Sequence, residues 1–284
     1  MLYVCATPIG NLGDVTPRVA EALGKVDLVA AEDTRHTRKL LSHLGVHVPL
    51  TSLFKHNEAQ KTEEVLAVLR EGRDVALVTD AGMPGVQDPG MRLVTRAVAA
   101  GIELTVLPGP SAVLTALVAA GLDGDGFRFV GYLPRRAREL EAALEDWRRC
   151  GGLLVAFETG QRLPASLAFF AAHVPDLRGA ICRELTKVHE EVVRGTLLEL
   201  SARYPVSGPD ATPLAGAVRG EITLVIDLGP AQEEAARGAA QASAAAAALI
   251  GRGLSKRDTA AALQVCLGVP HREAERMARE AAAR

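Results

Sequence analysis

The 284-residue chain has few of the residues that betray a function by composition. One Trp, three Tyr and six Phe are too few for a row of base-stacking platforms, which weakens any reading built on aromatic capture of single strands. The four cysteines, Cys5, Cys150, Cys182 and Cys266, are far apart, with no C-x-x-C and no His at metal spacing. Neither a zinc site nor a redox pair is indicated, and buried thiols are expected. Long apolar runs are missing as well: residues 239–250 are mostly alanine and are broken by Gln241 and Ser243, short of the ~20 strongly apolar residues of a membrane span. Met1-Leu2-Tyr3-Val4 enters a strand at once, without the charged start and apolar segment of a secretion signal, so a cytoplasmic protein without membrane association is expected. Excess charge of either sign is lacking too. The formal net charge of −2 leaves a polyanionic partner open, because a basic surface can be local.

Apolar residues are plentiful at 48%, and the length suits about two domains. Over the first 110 residues, apolar runs at 2–6, 27–31, 74–79 and 103–107 alternate with helix-period segments, an α/β pattern. Asn57 is expected to cap a helix that carries Val65, Leu66 and Leu69 and stops at Gly72. Further helices are expected over 89–100 and 112–121. A second block begins near Phe127 with a strand in "FRFVGYLP" and a charged helix over 135–150. Strands at 153–158, 180–185, 191–195 and 221–228 follow, with helices at 161–172 and 196–203 between them. The expected organisation is an N-terminal α/β domain over 1–120, a second α/β domain over 121–229, and a linker with a helical extension over 230–284. In that extension Ser255 and Asp258 resemble a capping box, and Gly268-Val269-Pro270 turns the chain between two helices.

Five stretches hold the chemistry. "TPIGNLGDVTP", residues 7–17, places glycines between a strand and a helix, where backbone N–H groups meet anions, yet it matches neither G-x-G-x-x-G nor the P-loop spacing. "AAEDTRHT", residues 30–37, follows a strand. Asp33 or Thr34 there can serve as a cap, while Arg35 and His36 are less easily explained that way. "FKHNE", residues 54–58, sets His56 before the cap, where it could act as a base or merely be exposed. "VTDAGMPGVQDPG", residues 78–90, combines backbone-permissive Gly82 and Gly85 with rigid Pro84 and Pro89, a loop suited to close approach by a ligand. "CRELTKVHEE", residues 182–191, brings Arg183, Glu184 and Lys187 to a strand end, as an anionic substrate would want or as an ordinary ion pair would arrange.

Taken in order, "TPIGNLGD", "AAEDTRHT", "HNE", "DAGMPGVQDPG", "VLPGPSA" and "RELTK" resemble the ribosomal RNA small subunit methyltransferase I family, which is similar to the tetrapyrrole methylases. The resemblance covers residues 2–228 and is weaker over the helical tail. It implies an α/β, two-domain, tetrapyrrole-methylase-like architecture with an S-adenosylmethionine cleft between domains and a small C-terminal helical extension. The implied activity is 2'-O-methylation of a cytidine ribose in the decoding region of small-subunit ribosomal RNA, within an assembled or assembling subunit, by a homodimer. By position it implies a cofactor wall of Asp80, Ala81, Gly82 and Val86, a second of Ser111 and Ala112, and closure by Glu158 and residues 154–157. Met83 departs from the family's usual Thr, and "AFETGQR" lacks the Pro-His that commonly follows its Glu, which removes any basis for a role at Thr159 or Gly160.

The implied displacement of a methyl group from a sulfonium by a hydroxyl needs no metal. Positioning supplies roughly 7–11 kcal/mol of such a barrier and a general base about 100-fold to 10,000-fold. Candidate catalytic groups are Asp33, His36, His56 and Glu184; Asn11, Arg35, Asn57, Arg183 and Lys187 are expected on the RNA. Two rival readings are a methylase acting on a tetrapyrrole or other small molecule and a non-catalytic RNA-binding module.

Overall fold

The computed structural model describes residues 1–206 and 218–283, with the backbone alone over 232–237. Its first sheet holds β1 (Leu2–Cys5), β2 (Leu28–Ala31), β3 (Leu50–Ser52), β4 (Val75–Val78) and β5 (Leu104–Leu107) in the order β3-β2-β4-β1-β5. Every neighbouring pair is parallel. The connections run through α1 (Pro17–Lys25), α2 (Thr34–Leu44), α3 (Glu58–Arg70) and α4 (Met91–Ala99), and α5 (Ala112–Ala120) follows β5. Helices lie on both faces. Val19, Leu23, Leu40 and Leu41 of α1 and α2 pack with Val29, Ala31, Ala76 and Val78, while Val65, Leu66 and Leu93 of α3 and α4 pack with Leu2, Val4, Val75 and Leu77. Burial on both sides is why β4 reads as an unbroken apolar run. The short β3 escapes the sequence reading because its Leu-Thr-Ser forms an edge strand with no residue fully buried.

The second sheet contains β6 (Phe127–Tyr132), β7 (Leu153–Thr159), β8 (Arg178–Arg183), β9 (Glu191–Thr196) and β10 (Glu221–Asp227), ordered β6-β7-β10-β8-β9. Strand β8 is antiparallel to both β9 and β10, which pairs Cys182 with Val192 on one side and Thr223 on the other. Between these strands lie α6 (Ala137–Cys150), α7 (Leu163–His173) and α8 (Leu197–Arg203); the tail forms α9 (Gln232–Gly251), α10 (Lys256–Leu267) and α11 (His271–Ala281). One compact unit is built from residues 1–123, 128–134 and 154–226, and a smaller one from 124–127, 135–153 and the chain from 227 onward. The smaller unit carries its own core, in which Ala242, Ala246, Leu263 and Met277 are buried together.

Several local expectations change. Asn57 stands at the start of α3 but does not cap it with its side chain; Oδ1 accepts from Phe54 N–H at 2.8 Å, closing the turn before the helix. Ser255 caps α10 by accepting from Asp258 N–H at 3.1 Å, but Asp258 accepts from the Ser255 hydroxyl at 2.7 Å, so the reciprocal backbone bond of a full box is not made. The shorter Asp side chain explains this. Cys5 and Cys182 are buried, whereas Cys150 and Cys266 are exposed, because they occupy outward positions of α6 and α10. Among the described residues no helix is long and apolar enough to cross a membrane.

Candidate functional site

Because the first sheet is parallel, its strands all end on one edge, and the loops leaving that edge converge. The loop after β1 and the loop after β4 are tied by a two-residue antiparallel bridge: Thr7 N–H donates to Gly82 C=O at 2.9 Å and Gly82 N–H to Thr7 C=O at 3.0 Å. The Thr7 hydroxyl adds a bond to Thr79 C=O at 3.0 Å. Gly82 adopts φ +77°, a left-handed conformation that side chains resist, so this turn needs glycine. At the far end of the same loop, Glu58 Oε1 accepts from Gly90 N–H at 2.8 Å and fixes the entry to α4.

Against this edge lies a cavity of about 240 Å³. Ala81, Gly82 and Val86 line one wall and Ser111 and Ala112 a second, where the Ser111 side chain caps α5. The second sheet closes it with Phe157, Glu158 and Thr223, and Tyr132 sits edge-on to Phe157 at a ring separation of 5.7 Å. Glu158 is only 2% exposed. Its carboxylate is fully occupied, accepting from Thr159 N–H at 2.8 Å and from the Ser166 hydroxyl at 2.7 Å, with Arg162 at 3.4 Å. Asp88 is the half-buried acid of this cavity. Burial first, then repulsion from Glu32, Asp80 and Glu221, pushes its carboxyl up to about 6. Cys182 also faces the cavity, but burial pushes its thiol up to about 11, which keeps it protonated and unreactive at neutral pH.

A second cavity, of about 420 Å³, adjoins the first and shares Ile9, Ala81 and Glu221 with it. Thr79 and Asp80 from the end of β4, His36, Thr37 and Lys39 from α2, and Gly10 from the first loop line it. Asp80 Oδ1 accepts from Asp33 N–H at 3.1 Å, which binds the loop after β2 to the loop after β4. On the opposite side Lys187 Nζ bridges Glu184 Oε1 at 3.0 Å and Glu221 Oε2 at 2.8 Å. Glu184 and Thr186 have φ of +51° and +66°, strained values for non-glycine residues, held by bonds from Glu221 N–H to Glu184 and from Thr186 N–H to Glu190. This strained segment is what packs on Gly10. A Cβ there would run into Lys187 Cγ and Thr186 Oγ1, so the close approach at Gly10 serves "RELTK".

The family described as Tetrapyrrole (Corrin/Porphyrin) Methylases matches residues 1–201. A protein named ribosomal RNA small subunit methyltransferase I from Micromonospora olivasterospora is 45% identical over 225 residues, covering 79% of this chain and 69% of that one. The chain belongs to this methyltransferase family. The bearer of the same name in Escherichia coli O157:H7 is 42% identical over 234 residues, covering 82% of this chain and 79% of its own. The fold is shared further: the cobalamin biosynthetic enzyme cobalt precorrin-4 methyltransferase superposes with a TM-score of 0.58 at 17% identity, over 81% of this chain and 96% of that one.

Within this family architecture the residues singled out from sequence separate into groups. Ala81, Gly82, Val86, Ser111 and Ala112 share the first cavity; Asp80, His36 and Lys187 share the second. Asp33 caps α2 and pairs with Arg35 Nη2 at 2.7 Å, which holds its carboxyl well below the usual carboxylate range and makes it a poor proton acceptor. Asn11 accepts from Gly13 N–H at 2.9 Å within its own turn. His56 lies beside Phe54 and, like Asn57, lines neither cavity. Arg183 is paired with Glu191 at 3.1 Å. Glu184 is lowered by the hydrogen bond from Glu221 N–H and by Lys187. Sequence reasoning passed over Asp88, Thr79 and Glu221. The first two stand inside or beside the quoted "DAGMPGVQDPG", where a polar residue in a ligand loop was itself a signal; Glu221 carried none. Among the described residues no group of three or more His, Cys, Asp or Glu is placed to hold a metal ion.

Proposed function

We propose that this chain transfers a methyl group from S-adenosylmethionine to a ribose 2'-hydroxyl of small-subunit ribosomal RNA, at a cytidine of the decoding region. The observation that carries the reading is the pair of cavities joined at Ile9, Ala81 and Glu221, the first walled by small side chains with Asp88 among them, the second larger and carrying His36, Lys39, Asp80 and Lys187 on its walls. The first fits the cofactor. Ala81, Gly82, Ser111 and Ala112 leave room for a flat purine, and the carboxylates of Asp88 and, from the adjoining cavity, Asp80 complement an ammonium and a sulfonium. The cofactor supplies an already activated methyl group.

The protein's part is then to hold the hydroxyl in line and receive its proton. His36, on the wall of the second cavity, and Asp88, whose carboxyl titrates at about 6, are the groups placed for that proton. Asp33 acts by position, fixing the start of α2 so that His36 faces the cavity. Arg35, Arg183 and Lys187 flank the site where neighbouring phosphates pass, each already drawn toward a carboxylate that a phosphate must displace. Residues 1–120 and 121–229 form the two halves of the catalytic body, 230–284 the extension, and the working form is a cytoplasmic homodimer.

Incubation with small ribosomal subunits and labelled S-adenosylmethionine tests the reading, followed by mass spectrometry of the modified nucleotide. Label on a ribose of small-subunit RNA is expected; label on a tetrapyrrole with none on RNA would overturn the assignment.

A further inference from the structure

Resting on that reading, we infer that the second cavity receives the base of the methylated nucleotide, unstacked from the RNA, and that Thr79 meets its hydrogen-bonding edge. Thr79 follows β4 and is 2% exposed, yet its hydroxyl has no hydrogen-bond partner. A buried hydroxyl left without a partner is destabilising, so its retention asks for a reason. Five side-chain atoms among the described residues share this condition, and of the residues that carry them Thr79 alone lines either cavity.

The cavity's lining includes the buried Thr37 and Thr79 with Asp80, and also the exposed Lys39, which has no carboxylate partner among the described residues. A nucleotide has matching groups, with donors and acceptors on a planar base and a charged phosphate on the outside. Free phosphate would place its charge against Asp80. The seam at Ile9, Ala81 and Glu221 is where the ribose between base and phosphate reaches the first cavity. A base stacked in a helix cannot enter such a recess, so binding requires the base to unstack.

The test uses the full chain, S-adenosylmethionine and small subunits reconstituted with RNA that carries 2-aminopurine beside the methylated nucleotide. Fluorescence should rise when wild-type protein binds. Thr79→Val keeps the shape and removes a hydroxyl that makes no internal bond, so a structural role predicts no change. On the inference it lowers kcat/KM for subunits about tenfold, with cofactor affinity and unfolding midpoint unchanged. Thr79→Ser restores the rate, and Lys39→Ala flattens the salt dependence of subunit binding. Methylation at the wild-type rate by Thr79→Val with the fluorescence still quenched overturns this inference and leaves the proposed function standing. No methyl transfer to ribosomal RNA by the wild type overturns both.

Discussion

The two sheets build the site by different means. The first sheet contributes mostly backbone: the Thr7–Gly82 bridge, the left-handed turn at Gly82 and the Ser111 cap place peptide groups and small side chains, and Asp80 adds a charge on the second cavity. The second contributes side chains fixed by one another: Glu158 with Ser166 and Arg162, Lys187 with Glu184 and Glu221, Arg183 with Glu191. A backbone wall tolerates a change such as Met83 for Thr, because its groups do not depend on the side chain. A wall of ion pairs fails when one partner goes, since the other is left charged and unmatched.

Loss of a buried partner should therefore have the largest effect. Glu158→Ala leaves Thr159 N–H and the Ser166 hydroxyl without their acceptor, while Arg162 keeps the Leu133 carbonyl, and is expected to lower unfolding free energy by about 1–3 kcal/mol, read by denaturant titration. A drop under 1 kcal/mol would mean the second wall is not held as described. Gly82→Ala probes the other wall, where the left-handed φ costs about 1–2 kcal/mol for an L-residue; calorimetry should show cofactor affinity falling further than stability does. Asp80→Ala should weaken S-adenosylmethionine binding more than RNA binding, and equal losses would move Asp80 wholly to the RNA side.

Asp88 gives a pH test. Its folded carboxyl, at about 6, lies above the ordinary ~3.9 of an unfolded Asp, so its protonated form favours folding below the lower value and that contribution is lost as pH rises through about 6. Asp88→Asn should then raise the unfolding midpoint at pH 7.5 and leave it unchanged at pH 4, with cofactor binding weakened at the higher pH. The smallest effect is expected from Lys187→Ala. Its ammonium is held between two carboxylates, so the salt slope of RNA binding should fall by less than the ~0.7–0.9 of a free phosphate contact. A full unit would show that RNA displaces Glu184 and Glu221.

Much of the first sheet was legible because its signals are local. A strand buried on both faces is an apolar run, a helix stop is Gly72 or Gly121, and a ligand loop is a cluster of Gly and Pro after such a run. Asp33 as a cap followed from the same kind of signal. The charged segments were not legible in that way. "RELTK" looks the same whether its cations await a phosphate or lie against Glu191, Glu184 and Glu221, and two of those three partners come from outside the segment. Asn57 misled for a related reason: its side chain had two donors within reach, and the Phe54 N–H won over the helix.

The sequence alone determined the α/β class, ligand loops at strand ends, the family, and Ala81, Gly82, Val86, Ser111 and Ala112 of the first cavity, because period, turn chemistry and ordered motifs are properties of neighbours along the chain. Only the tertiary structure decided that Asp80 lines the second cavity and not the first, that Asp88 is lifted toward neutrality by burial and by Glu32, Asp80 and Glu221, and that Thr79 hides an unpartnered hydroxyl. Those facts depend on burial and on charges brought together from strands far apart in sequence, and neither quantity exists until the sheets have closed.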